Sequence, residues 1–101
     1  MKGYARRTDG NHAAILRVMR EAGAWVVDTS RVGSGFPDVM VWHRGTIHLC
    51  EIKDGSLSPS RRKLTLAEQL FHEAAAYHGV PVHIITNESE ALAILGARVG
   101  A

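Results

Sequence analysis

Residues 36–53 read FPDVMVWHRGTIHLCEIK, and their reading decides the fold. Two apolar runs, VMVW (39–42) and IHLC (47–50), flank the polar stretch His43-Arg44-Gly45-Thr46. That is the pattern of two strands joined by a tight turn. With Arg44-Gly45 as the two-residue turn, His43 stands opposite Thr46, Trp42 opposite Ile47, Met40 opposite Leu49 and Asp38 opposite Glu51. An even-length loop keeps this register, and an odd one shifts it. Lys53 lies two residues beyond Glu51, on the same face. Two acids and a lysine therefore gather at one end of two core strands.

Charges in such a place need a physical account. Side chains directly opposite on a sheet are about 4.5–5.5 Å apart, and like charges there repel. Buried charges are expensive unless paired or bound to a metal. A hard divalent cation bound by oxygen satisfies both acids at once, and Mg²⁺ typically takes one or two protein carboxylates while keeping waters and a substrate phosphate. Asp38 and Glu51 fit that need, and the Ile52 carbonyl is a candidate third ligand. With Lys53 beside it, such a cation would lower the pKa of an attacking water and stabilise charge on a pentavalent phosphate. On these three residues alone, a salt bridge of Lys53 with Asp38 or Glu51 at a strand edge is the competing explanation.

Working outward, the spacing of Ala13, Ile15, Leu16, Val18 and Met19 predicts a helix from Asp9, capped by Thr8 or Asp9 and ended by Gly23. Ala24–Asp28 is a first strand. Thr29–Gly35 is a loop in which Gly33 and Gly35 permit unusual backbone angles and close approach of a ligand. No Gly-Lys-Ser/Thr follows, so it is not a P-loop. Asp54–Lys63 (DGSLSPSRRK) reads as a mobile polar loop. Thr65-Leu66-Ala67-Glu68 matches a capping box, opening a helix with Leu66, Leu70, Ala74 and Tyr77 on one face and ending at Gly79. Val80–Thr86 is a strand, and Asn87 or Ser89 caps a short helix through Leu95. The order α-β-β-β-α-β-α, with middle strands apolar on both faces, predicts an α/β fold: a mixed sheet with a central hairpin flanked by helices on each side. Residues 1–8 read as a flexible arm, and no repeat or linker divides residues 1–101, so one domain is expected.

Bulk properties bound the function. The chain has 101 residues, a formal charge of +2 and 46% hydrophobic residues, an ordinary globular composition. Its weakly basic pI near 9.0 permits a nucleic-acid partner. The single cysteine, Cys50, excludes an intramolecular disulfide and suits a reducing compartment. No run reaches a membrane span and no signal-peptide apolar region opens the chain, so a soluble, cytoplasmic protein is expected. None of the six histidines shows His-x₃-His spacing or a cysteine partner, so a zinc site is not indicated. Trp25 and Trp42 read as core residues, Cys50 as an inert buried thiol, and Arg44 as a turn residue.

Pro37-Asp38, twelve intervening residues, then Glu51-Ile52-Lys53 resembles the PD-(D/E)XK nuclease signature. From Asp9 to Leu95 the chain is similar to small stand-alone VRR-NUC-type nucleases, which are often phage-encoded and share the restriction-endonuclease-like core of Holliday-junction resolvases. Asn11, Val32–Asp38, Glu51–Lys53 and Leu64-Thr65 followed by Gln69 carry the likeness. The resemblance implies a divalent-metal-dependent DNA endonuclease hydrolysing phosphodiester bonds, structure-selective for branched or Holliday-junction-like DNA. Asp38 and Glu51 would bind Mg²⁺ or Mn²⁺, Lys53 would act on the water or the transition state, and Gln69 would support the site. Many relatives carry an acid in the first helix, where this chain offers Asn11 and His12, with Asp9 just before them. Relatives often act as homodimers, and a phage-encoded copy would work in the host cytoplasm. Arg31, Ser34, Arg61, Arg62 and Lys63, in loops on either side of the acidic hairpin end, are candidate phosphate contacts that position DNA without reading its sequence. The alternative is a non-catalytic DNA-binding module that keeps the fold, and a protein-interaction subunit is a further rival.

Overall fold

The computed structural model describes residues 9–96; the expected arm, residues 1–8, lies outside them. The elements are α1 (His12–Glu21), β1 (Trp25–Asp28), β2 (Val39–His43), β3 (Thr46–Ile52), a 3₁₀ turn (Pro59–Arg62), α2 (Leu66–Tyr77), β4 (Val82–Ile85) and α3 (Glu88–Ile94). This is the expected order. The four strands lie side by side as β1-β2-β3-β4. The first two pairings are antiparallel and β3–β4 is parallel, so the sheet is mixed.

The hairpin register is the one read from its turn. Val39 pairs with Cys50, Met40 with Leu49, Trp42 with Ile47 and His43 with Thr46. Arg44 and Gly45 both have positive φ, 50° and 81°, as a type I′ turn requires to match strand twist. One step past Val39–Cys50, the same register brings Asp38 to Glu51. There the Ile52 N–H donates to Asp38 Oδ2 at 2.9 Å.

Alternation along the strands separates the two faces of the sheet. Val26, Val39, Val41, Cys50, Ile52 and Ile85 join Ile15, Leu16 and Met19 of α1 and Ala91 and Leu95 of α3 in one buried cluster. Asp38, Met40, Trp42, Glu51 and Ile84 point the other way, toward α2. Phe36 meets Phe71 of α2 edge-on, with ring centroids 5.3 Å apart. Helices thus lie on each face, as expected, but α2 covers its face only in part. Ile47 and Ile84 remain about half exposed, and Trp25 is 64% exposed with its ring against Trp42. Trp25 is therefore not a core residue; it sits on edge strand β1, on the part of this face that α2 does not cover.

Expectations for the two longer helices are corrected. Helix α1 starts at His12, with Asn11 at the cap position expected for Thr8 or Asp9, and Asn11 makes no side-chain cap. Its amide instead donates to the Lys53 and Thr86 carbonyls at 3.1 and 3.0 Å, tying the helix start to the ends of β3 and β4. Ala13 is exposed, and His12 takes the buried place beside Ile15 and Met19. Helix α2 has its capping box, but its apolar stripe faces outward: Leu66, Leu70 and Tyr77 are 72%, 57% and 86% exposed. The face turned to the sheet carries Glu68, Phe71 and His72. The ion pair of Glu68 with Lys53 and the Phe36–Phe71 contact set the helix rotation, against the stripe. Within residues 54–63, expected as a mobile loop, Asp54 accepts from the Ser56 N–H and hydroxyl before the 3₁₀ turn.

Candidate active site

The site is built on the end of the β2–β3 hairpin and roofed by α2. Asp38 and Glu51 come from adjacent strands and are 9% and 1% exposed. Burial pushes the Glu51 carboxyl up to about 10, and neighbouring Asp38 and Glu68 add to the effect. At neutral pH the carboxyl therefore keeps its proton in the absence of a cation. Its Oε1 atom is buried with no hydrogen-bond partner.

Lys53 reaches from the end of β3 to Glu68, with Nζ 2.9 Å from Oε1. The same Glu68 oxygen accepts the Thr65 N–H at 2.8 Å, so the capping box of α2 also holds the lysine. Burial alone would lower the Lys53 pKa, but Glu68, then Glu51 and Asp9, outweigh it and raise it. Burial would raise Glu68, yet its bonds to Lys53 and the Thr65 N–H bring it down. Both partners are thus charged, and Lys53 is a fixed ammonium rather than a base.

Asp9, just before α1, belongs to the same electrostatic cluster. Burial raises its pKa, Lys53 opposes that, and Asp38, Asp54 and Glu68 raise it further. Asn11 stands beside the site through its bond to the Lys53 carbonyl. His12 instead turns to Asp28, with Nε2 3.2 Å from Oδ2, while the Ser30 N–H donates to the other Asp28 oxygen. Burial raises Asp28, but these bonds bring it down.

Two buried carboxyls, one with an orphan oxygen, fit a cation that keeps part of its water shell. Among the described residues no three His, Cys, Asp or Glu side chains are preassembled as a metal site, so a structural zinc cage does not fit.

No protein-family profile matches the chain, and no curated protein matches it in sequence. A solved structure described as a VRR_NUC domain superposes with a TM-score of 0.62 at 22% identity, covering 86% of this chain and 96% of that one. The fold is that of a VRR_NUC domain. The restriction-endonuclease-like core expected from the Pro37-Asp38…Glu51-x-Lys53 pattern is thus the architecture observed.

On this VRR_NUC fold the expected site residues separate. Asp38, Glu51, Ile52 and Lys53 come together. Gln69 does not join them: it is exposed, and its amide donates to Glu73 at 3.2 Å. The Thr65 capping box sets the helical phase so that residue 68, not 69, points inward. Sequence reasoning missed Glu68 and His72. His72 Nε2 lies 3.8 Å from Glu51 Oε1, and burial lowers its pKa, which favours the neutral ring. The available signal was their four-residue spacing, which puts both on one helix face; searching for His–His pairs passes over a Glu–His pair.

Arg31, Ser34, Arg61 and Lys63 are exposed, and Arg62 is half-buried. None of these cations forms an ion pair with another described residue. Arg62 lines a cleft of about 500 Å³ with Asn11, Asp54, Thr86 and Glu88, adjoining the site. Gly35 makes a close approach, but to α2 rather than to a ligand: a Cβ there would lie 2.2 Å from the Ala67 carbonyl oxygen.

No helix among the described residues is long and apolar enough to cross a membrane.

Proposed function

We propose that the chain is a divalent-metal-dependent endonuclease that hydrolyses phosphodiester bonds in DNA, selecting branched or junction-like structures. One observation carries this reading. Glu51 is fully buried beside Asp38 with an unpartnered oxygen, an arrangement that is costly in an inert module. Asp38 and Glu51, with the Ile52 carbonyl, would hold Mg²⁺ or Mn²⁺, which supplies a water of lowered pKa and charge for the phosphate. Ile52 orients Asp38 through its N–H. Lys53, kept protonated by Glu68, offers a fixed positive charge to the negative charge that builds on the phosphate. Glu68 takes the supporting role expected of Gln69. Arg31, Arg61, Arg62 and Lys63 supply unpaired charge for the DNA backbone, with Ser34 exposed on the loop that leads into Asp38.

The outward apolar face of α2 supports action as a homodimer, in which two sites would address two strands. Phage origin and a cytoplasmic place, in the host where phage-encoded, remain part of the same proposal.

Purified protein is expected to cut four-way junctions or flaps in Mg²⁺ or Mn²⁺ faster than plain duplex, and to be silent in chelator. Cutting by Asp38→Ala and Lys53→Ala at the parental rate would overturn the assignment. A second reading, a non-catalytic DNA-binding module, is favoured by the Lys53–Glu68 pair, which already balances two charges without a cation. It predicts salt-sensitive DNA binding, with no cleavage in any metal.

A further inference from the structure

The proposed site leaves one buried group without a task. His72 points its Nε2 atom toward Glu51 Oε1 at 3.8 Å, and both atoms are buried with no hydrogen-bond partner. That separation is too long for a hydrogen bond, whose range ends near 3.2 Å. Two donors bonded at about 2.1 Å to one cation lie between about 3.0 Å apart, when adjacent, and 4.2 Å, when opposite. The gap falls within this range. The imidazole is also held in place: His72 is one turn beyond Glu68, which Lys53 and the Thr65 N–H fix at 2.9 and 2.8 Å. Phe71, beside it, packs on Phe36.

We infer that His72 Nε2 is a direct ligand of the cation bound at Glu51, so that the site holds one nitrogen donor among its oxygens. This rests on the metal-dependent reading above and deepens it. Carboxylates alone suit Mg²⁺, Ca²⁺ and Mn²⁺, whereas imidazole favours transition metals. The consequence is that Mg²⁺ gains least from the site, and that affinity rises from Mn²⁺ toward the later first-row divalent ions.

Pulsed electron paramagnetic resonance on the full chain loaded with Mn²⁺ tests this without reference to cleavage. The parent should show the ¹⁴N coupling of a directly bound imidazole. His72→Gln should lose it and bind Mn²⁺ at least about 10-fold more weakly, the lower bound seen when even a ligand's outer partner is lost. Its Mg²⁺ affinity should fall by less, because a hard cation gains less from imidazole. His12→Gln, which removes the other buried histidine, should keep the coupling. If the Gln variant does not fold, His72→Asn replaces it. Bound Mn²⁺ without ¹⁴N coupling in the parent, or coupling retained in the His72 variant, overturns the inference and leaves the two-carboxylate reading standing. A parent that binds no Mn²⁺ overturns both.

Discussion

A carboxyl group that is 1% exposed and beside two other acids can either keep a proton or take a cation. Burial directs Glu51 to the first when no cation is bound, and the linkage is testable. Its ordinary value is 4.5 and its folded value about 10. Between those values the folded chain holds a proton that the unfolded chain has released. The stability this contributes is complete below pH 4.5 and is lost as pH rises toward about 10. Glu51→Gln keeps the shape without the titration. In metal-free buffer it should melt above the parent at pH about 8.5, with the gap closing toward pH about 4.5, as differential scanning calorimetry would show. The proposed site also predicts that Mn²⁺ raises the parent's melting temperature by binding the folded state, and that the same variant loses this rise. At the same scale, the role proposed for Lys53, on the phosphate and not on the cation, predicts that Lys53→Met abolishes cutting yet keeps that Mn²⁺-induced rise. Cleavage and melting assays on one preparation separate the two effects.

At the scale of elements, the loop before Asp38 and the first turn of α2 are locked by close backbone approach. Gly35 has a φ of 79°, and an added Cβ would collide with the Ala67 carbonyl carbon and oxygen and the Glu68 nitrogen. Gly33 has a similar φ, 84°, but open space around it. Gly33→Ala should therefore show only the backbone penalty, about 1–2 kcal/mol, while Gly35→Ala should exceed it and displace α2. Urea titrations would rank them, and equal losses would contradict the close packing. The hairpin was legible in the sequence because its turn and its alternation agree: only Arg44-Gly45 offers the two-residue loop, and that choice alone places Asp38 against Glu51. The rotation of α2 was not legible. Leu66, Leu70, Ala74 and Tyr77 form a better amphipathic stripe than Glu68, Phe71 and His72, and periodicity cannot register that Lys53 waits beneath the helix. Asn11 was found by position while its task was not, since a side chain that bridges the Lys53 and Thr86 carbonyls depends on a parallel strand pair formed late in the chain.

For the whole molecule, the uncovered apolar surface is the main quantity. Leu66, Leu70 and Tyr77 on the outward face of α2 are all at least 57% exposed. The homodimer proposed above would cover this face, because a second copy supplies the same stripe in a self-complementary pair. Leu70→Glu combined with Tyr77→Ser should shift the protein to monomer in analytical ultracentrifugation without lowering its melting temperature in dilute solution. A parent that is monomeric at high micromolar concentration would remove the dimer from the proposal. The basic loops contribute at this scale too. Replacing Arg61, Arg62 and Lys63 together should weaken DNA binding and flatten its dependence on salt by the loss of about three phosphate contacts.

The parallel pairing of β3 with β4 has a kinetic consequence. Asp38, Glu51 and Lys53 lie within one hairpin, whose contacts are local and close quickly. A parallel partner, in contrast, can be added only after the chain has made the α2 crossover. During folding the acids thus meet early, while still wet, and are sealed from water only when α2 and β4 dock. A cation that needs the sealed arrangement acts after the main barrier. Mn²⁺ should accordingly slow unfolding in stopped-flow denaturant jumps while leaving the refolding rate nearly unchanged. The proposed metal site would then act as a latch on a domain that has already folded.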